Sequence, residues 1–435
     1  MAKKSNSSKL ITLILIIMAM YTIYLLPYLS RYYYAPLQKA MGLVGRDADY
    51  GKLVNVYGIA NIILYLPGGW IADKFDSKKL FVFSMISTGI LGLWESTWPR
   101  YNTLLVIYIL FALTTVLTFW SSSVKCINML ADDGEQGGMF GSLEAGRGVL
   151  GLILMSTFNA IYAANAADSA KAMRLVIILI SVLMIAVGVA LIFMMPKPKV
   201  GVVATNDTLL DSIKAMGVAF KCPVTYLLAG MIFCGCMTLT ATSYFAPYLQ
   251  NICGLPESKS AVFLNTSTSV CMLIGASVAA VLATKLKRST TPMIGAGIIG
   301  VIAFAVMLIL PPSTAILVPM LVVIIVALMI IYVFRALYYA VVDEVGTPKN
   351  IVGSVIGIAS LLGFLPDTFY TTLCGKWLEI DPVGGYKKIF ISCICAVVLG
   401  LVCAIISDKK ILKHRAQMAL NATDEANDTV TSSDK

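Results

Sequence analysis

Apolar residues run along this chain in twelve long stretches separated by short polar connections. The stretches are residues 10–36, 51–72, 79–98, 103–131, 137–163, 172–195, 223–250, 259–284, 290–310, 314–342, 351–377 and 387–407. Each is long enough to cross roughly 30 Å of hydrocarbon as a helix. Inside lipid every backbone N–H and C=O needs an internal partner, so runs this long and this apolar predict helices. The first run is not a cleaved signal peptide: it is too long, lacks a small-residue cleavage site, and is followed by eleven more. The pattern predicts an all-α integral membrane protein with twelve transmembrane helices.

Composition agrees. Of 435 residues, 58% are hydrophobic and 13% charged, where a soluble chain carries about 25% charged residues. The net charge of +10 is a matter of topology rather than a nucleic-acid surface, because the basic residues are scattered among the connections. With the N-terminus inside, the inner connections and the span ends bordering them hold nineteen Lys and Arg and the outer ones ten. The excess places both termini in the cytoplasm of a bacterial inner membrane. A polar connector, residues 196–222, divides 1–195 from 223–408. It contains an amphipathic pattern from Leu209 to Phe220, suited to the membrane surface. Residues 409–435 form a polar cytoplasmic tail whose composition predicts disorder from Arg415 onward. The ten cysteines lie mostly in apolar spans as core residues, with no pairs at metal-ligand spacing. The single histidine, His414, lies in the tail. No metal, cofactor or Walker-type phosphate loop is expected, and no nucleophile–base pair points to an enzyme.

Charges inside the spans carry the chemistry. Four are cations (Arg31, Lys125, Arg147, Arg335) and two are anions (Glu144, Asp367). A charge at such depth is costly unless it is paired or faces water, so each is a candidate functional residue. Lys125 and Glu144 flank the polar turn Asp132–Gly138 at nearly equal distance. An antiparallel helical hairpin sets them at one depth, as a structural pair. Arg147 follows Glu144 one turn deeper.

The polar positions fall in stripes. Tyr21, Tyr24, Tyr28 and Arg31 share a helical face, as do Tyr57, Asn61 and Tyr65. The C-terminal half offers Thr238, Thr240, Thr242 and Ser243, then Asn265 and Ser269, then Tyr332, Arg335 and Tyr339, then Asp367 with Tyr370 and Thr371. Trp94, Glu95 and Trp98 read as an outer interface belt.

Between the second and third spans stands Gly69-Trp-Ile-Ala-Asp73-Lys74-Phe-Asp-Ser-Lys78-Lys79. It resembles the signature of the major facilitator superfamily, G-x-x-x-D-[RK]-x-G-x-[RK]-[RK], departing from it at Asp76, where glycine is usual. The resemblance implies two six-helix bundles around a central cavity, related by pseudo-two-fold symmetry. It makes Gly69, Asp73, Lys74, Lys78 and Lys79 an inner-gate motif. A repeat fits this: Tyr33-Tyr-Ala-Pro36 echoes Tyr244-Phe-Ala-Pro247, and Gly141-Ser142 with Gly151 echo Gly353-Ser354 with Gly363. The charge does not repeat, since Arg31, Glu144 and Arg147 align with Thr242, Ile356 and Ala359.

Tyr28-Leu-Ser-Arg31-Tyr-Tyr-Tyr-Ala-Pro-Leu looks like the first span of the organophosphate:phosphate antiporters and related organic-anion symporters. By that resemblance Arg31 holds the substrate anion. The second arginine usual in span seven of the antiporters is replaced here by Thr242.

A midplane site with surplus arginine attracts anions, because guanidinium binds carboxylate or phosphate bidentately. The expectation is a monomeric secondary transporter of a small organic anion: a sugar phosphate, sugar acid or other carboxylate. Arg31, Tyr28, Tyr24, Arg147, Arg335, Asn61 and Tyr339 would contact substrate, and Glu144 or Asp367 would carry a coupling proton or answer a counter-anion. Membrane lipids are the other partner. The alternatives are an efflux pump for drugs or other lipophilic solutes, which calls for surplus buried acids, and a non-transporting sensor on the same fold.

Overall fold

The computed structural model describes residues 6–120, 122–123, 136–195, 217–348 and 352–433. Sixteen α-helices make up most of them. In the N-terminal half these are α1 (Asn6–Thr22), α2 (Tyr34–Ala40), α3 (Asp47–Lys74), α4 (Ser77–Glu95), α5 (Tyr101–Ala112), α6 (Gln136–Ala164) and α7 (Ser169–Met194). The C-terminal half contributes α8 (Pro223–Ala241), α9 (Phe245–Asn251), α10 (Glu257–Leu286), α11 (Thr290–Ile309), α12 (Leu317–Leu337), α13 (Ala340–Glu344), α14 (Val352–Gly363), α15 (Pro366–Ile380) and α16 (Pro382–Ser433). Nine helical stretches among the described residues are long and apolar enough to cross a membrane.

Several spans are not single helices. The first breaks between α1 and α2, with a 3-10 turn at Leu29–Arg31. Pro27 accounts for this, since it lacks an N–H and its ring clashes with the carbonyl four residues earlier. The face shared by Tyr21, Tyr24, Tyr28 and Arg31 on an unbroken helix is therefore corrected: Arg31 ends the 3-10 turn between α1 and α2. The seventh span breaks at the matching place, with a 3-10 turn at Thr242–Tyr244 before α9. Span four continues from α5 as a π-helix, Leu113–Trp120. Span eleven breaks before Pro366, the first residue of α15. The tail expected to be disordered continues α16 as helix to Ser433. The amphipathic segment Leu209–Phe220 falls largely outside the described residues.

The halves meet along two pairs of helices that the pseudo-two-fold exchanges: α3 with α15, and α6 with α10. On the first seam the backbones nearly touch. A Cβ on Gly51 would stand 2.5 Å from the Thr371 carbonyl, and one on Gly58 2.3 Å from the Asp367 oxygen. Gly375 meets the Asp47 backbone in the same way. Such small residues let membrane helices pack at backbone distance. Thr371 donates its hydroxyl to the Gly51 carbonyl at 2.8 Å and also bonds Asn55, and the Ala48 N–H donates to Glu379 Oε1 at 2.7 Å. On the second seam, Tyr33 (2.7 Å) and Asn265 (2.9 Å) both donate to Asn159 Oδ1. Glu257 accepts from Tyr162 at 3.1 Å and pairs with Lys39 at 3.6 Å. These bonds run from the middle of the molecule to the end carrying the α2–α3 and α9–α10 connections.

Candidate functional site

The break in span one places Arg31 at the centre of the interface between halves. Its Nη2 stands 3.1 Å from Asp367 Oδ1, across 336 positions of sequence. Both side chains are largely buried, at 14% and 10% exposure. Tyr28 acts on both partners. Its ring lies under the guanidinium, 3.7 Å from Cζ to the ring centre, and its hydroxyl donates to Asp367 Oδ2 at 2.8 Å. Thr240, at the end of α8, donates to Asp367 Oδ1 at 3.0 Å and accepts from Arg31 Nη2 at 3.3 Å. Cys236, one turn earlier, reaches the same carboxylate oxygen at 3.5 Å. Asp367 thus receives four donors, which hold a carboxylate in place in a buried site. Arg31 Nε is buried with no partner among the described residues, a donor still to be satisfied.

Two further arginines stand around this pair. Tyr32 lies within electrostatic reach of Arg31, Arg335 and Arg147 together, and Arg31 and Arg335 are close enough to repel. Arg335 packs its stem over Gly235 of α8. Tyr21 lies within electrostatic reach of Arg147, Tyr32 and Tyr332. Arg31, Arg147 and Arg335, singled out separately in the sequence, converge on one aromatic-lined place.

The other expected residues divide. Tyr24 is half-buried and its hydroxyl donates to the Thr115 carbonyl at 3.2 Å. Asn61 is buried against Tyr57, whose ring packs edge-on to Tyr28 at 5.2 Å, and its Oδ1 has no partner among the described residues. Tyr339 is 38% exposed and its hydroxyl meets Ser360 of α14 at 3.1 Å. Asp367, Tyr370 and Thr371 do not share one environment: Tyr370 turns to Ser392 at 2.6 Å, and Thr371 to α3. Asn265 bonds Asn159, while Ser269 bonds back to its own helix. The Lys125–Glu144 pair lies outside the described residues, and so do the side chains of Tyr65, Gly69, Asp73 and Lys74.

The rest of the motif after α3 has a local role. Asp76, in the place of the usual glycine, caps α4 by accepting from the Lys78 and Lys79 N–H groups at 2.8 and 3.4 Å. Lys78 Nζ donates to the Ile192 and Met195 carbonyls at 2.8 and 2.7 Å, closing the C-terminal end of α7. Lys79 is exposed.

The belt expected at Trp94, Glu95 and Trp98 is corrected. Trp94 is 42% exposed, but Glu95 is fully buried. Tyr32, Cys236 and Glu95 are the residues sequence reasoning missed. A cavity of about 470 Å³ lies elsewhere, between α8, α15 and α16, lined by Phe233, Met237, Trp377, Ile391, Cys395 and Leu399 among others. It shares none of the residues of the central cluster. No group of three or more metal-ligating side chains stands together among the described residues.

A model of the Major Facilitator Superfamily matches residues 10–371. Inner membrane protein YqcE of Escherichia coli K12 is 31% identical over 389 residues, covering 87% of this chain and 89% of that protein. Inner membrane protein YihN of the same organism is 25% identical over 407 residues, covering 91% and 94%. Among solved structures, a bacterial homolog of the human lysosomal transporter Spinster, inward-facing and unoccupied, aligns with a TM-score of 0.69 at 14% identity, covering 94% of this chain and 98% of that one. The nucleoside transporter NupG, solved as a point mutant, aligns at 0.68 and 15% identity, over 92% and 99%.

Proposed function

Since the chain belongs to the Major Facilitator Superfamily, we propose that it carries a small organic anion between its two halves, with Arg31 as the principal anion ligand. That it is a multi-pass membrane transporter of this fold is the firm ground. The substrate class is our reading, and one observation carries it: a guanidinium from one half is neutralised by a carboxylate from the other, with two more arginines close by.

In this reading Asp367 stands where the anion's own carboxylate or phosphate goes. The anion arrives at Arg31, whose Nε is a waiting donor, and Arg147 and Arg335 complete its neutralisation. Two like charges about 4 Å apart repel by about 4 kcal/mol at an effective dielectric of ~20. The displaced Asp367 therefore binds a proton as the anion enters, which couples the two. Tyr28, Asn61 and Tyr339 would line the path, and Tyr24 would support it through Thr115. Glu144, paired with Lys125, is the second coupling candidate.

The halves are residues 1–195 and 223–408, joined by 196–222 and followed by the 409–435 tail, with both termini cytoplasmic. The bonds of α3–α15 and α6–α10 then close the outer face, and rocking the halves exposes Arg31 to each side in turn.

A thermal-shift panel of sugar phosphates, sugar acids, simple carboxylates, nucleosides and lipophilic cations tests the reading, since a ligand stabilises the state it binds. Stabilisation by anions alone, lost in Arg31→Lys, is the expected result. A response confined to cations or nucleosides overturns it.

A further inference from the structure

A second acid is buried away from the central pair. Glu95, the last residue of α4, is fully buried, and so is Tyr108 of α5. The Tyr108 hydroxyl is 3.5 Å from Glu95 Oε1, the far limit of a hydrogen bond. Glu95 Oε2 has no partner among the described residues. Nor has the hydroxyl of Tyr50, which is 2% exposed and within electrostatic reach of Glu95.

The charged groups on the elements around the carboxyl are engaged elsewhere. From α7, Arg174 gives its Nε to the Ser96 carbonyl at 3.0 Å rather than to Glu95. Arg46, just before α3, and Lys52 of α3 engage Asp49 in exposed ion pairs. Asp47, also on α3, adds negative charge and is held by Tyr34 (2.8 Å) and Gln38 (2.9 Å). From α5 there is Tyr108. A buried carboxylate with no cation and one long hydrogen bond is not tolerated in such a place.

From this geometry we infer that Glu95 is a proton-binding site, neutral while the α3–α15 seam is closed and able to release its proton when the seam opens. The link is physical. Tyr50, in the first turn of α3 and one helical turn from Asp47, lies within electrostatic reach of the carboxyl, and its ring packs against Tyr34 at 4.9 Å. Asp47 and Ala48 of that same turn are what Gly375 and Glu379 seal. Withdrawal of α15 takes the Gly375 and Glu379 contacts away from the first turn of α3, which frees that turn and Tyr50 to shift within their own half and lets water reach Glu95. The closed state then binds one proton more than the open state, so raising pH favours opening. The closed-to-open ratio falls by up to about tenfold per pH unit while the linked proton is lost. This inference needs two alternating states but not the anion reading.

Two measurements on the purified full-length protein in proteoliposomes decide it, neither needing the transported solute. The infrared spectrum at neutral pH carries a neutral-carboxyl C=O band, shifted in D2O, that is missing in Glu95→Gln. Identical spectra from the two proteins overturn the proposal. Spin labels at Val44→Cys and Ile380→Cys, with Cys222 and Cys395 replaced by serine, report the seam distance. In the wild-type background the short-distance fraction falls as pH rises, while E95Q keeps it at every pH. A pH response that is absent from the wild-type background, or unchanged in E95Q, overturns the proposal. Should E95Q fail to insert, the wild-type titration still decides whether closure binds a proton.

Discussion

Arg31 and Asp367 meet at 3.1 Å, each supplied by a different half of the molecule and each at a break in its helix. Neither residue belongs to a regular helix interior, where its side chain would have to share a face with neighbours three and four positions away. The breaks set both at the axis between the halves. A buried pair of this kind is weak evidence for stability, because desolvation offsets most of the attraction. Its position argues instead for use.

Neutralising either partner strands the other charge. Arg31→Gln and Asp367→Asn should each cost roughly 3–5 kcal/mol where the site stays closed. The double variant should recover part of that loss. A double-mutant cycle on thermal or chemical unfolding of the purified protein measures it, and strict additivity of the two losses would show that the pair is not coupled.

Gly58→Ala places a methyl group 2.3 Å from the Asp367 carbonyl oxygen. Overpacking of this type costs about 1–3 kcal/mol, and here it falls only on the state in which α3 and α15 touch. The protein should insert normally, yet its closed-to-open ratio should drop by about tenfold, since 1.4 kcal/mol is one decade in an equilibrium. Spin-label distances across the seam read this directly. An unchanged distribution would mean that the contact does not define a conformational state.

Lys78 closes α7 through two carbonyls. Lys78→Ala should lower stability by about 1 kcal/mol, with Lys78→Arg recovering most of it. The measurement is the thermal midpoint of the two variants. Equal loss in both would point to a role that depends on the ammonium itself rather than on its charge at the helix end.

The Lys125–Glu144 pair inferred from equal depth predicts that exchanging the two residues rescues part of the damage done by each single neutralisation. Expression and stability of the swapped protein, compared with Lys125→Gln and Glu144→Gln, check this. Absence of any rescue argues against the pairing.

The fold was legible because length and hydropathy alone fix what can cross lipid, and the helical stretches follow the apolar runs. The break in span one was written in Pro27, but a hydropathy pattern is blind to a proline inside an apolar run. Arg31 and Asp367 were both conspicuous as charges in oil. Their partnership was not readable, because it depends on how two broken helices from opposite halves approach. Glu95 shows the reverse failure. Two tryptophans beside it gave the look of an interface belt, whereas the end of α4 turns the acid inward, next to Tyr108 and within electrostatic reach of Tyr50. Tyr32 and Cys236 carried no signal at all, since their importance comes only from what surrounds them.

The central claim is that an anion takes the place of Asp367 at Arg31 and that Asp367 then takes a proton. The most direct measurement is proton movement in proteoliposomes, followed by a trapped pH dye while the anion found in the thermal-shift panel is added. In the wild type, anion entry should carry protons with it. In Asp367→Asn the anion should still exchange across the membrane, but without proton movement and without accumulation against a gradient. Proton-driven accumulation by D367N at the wild-type level would contradict the account.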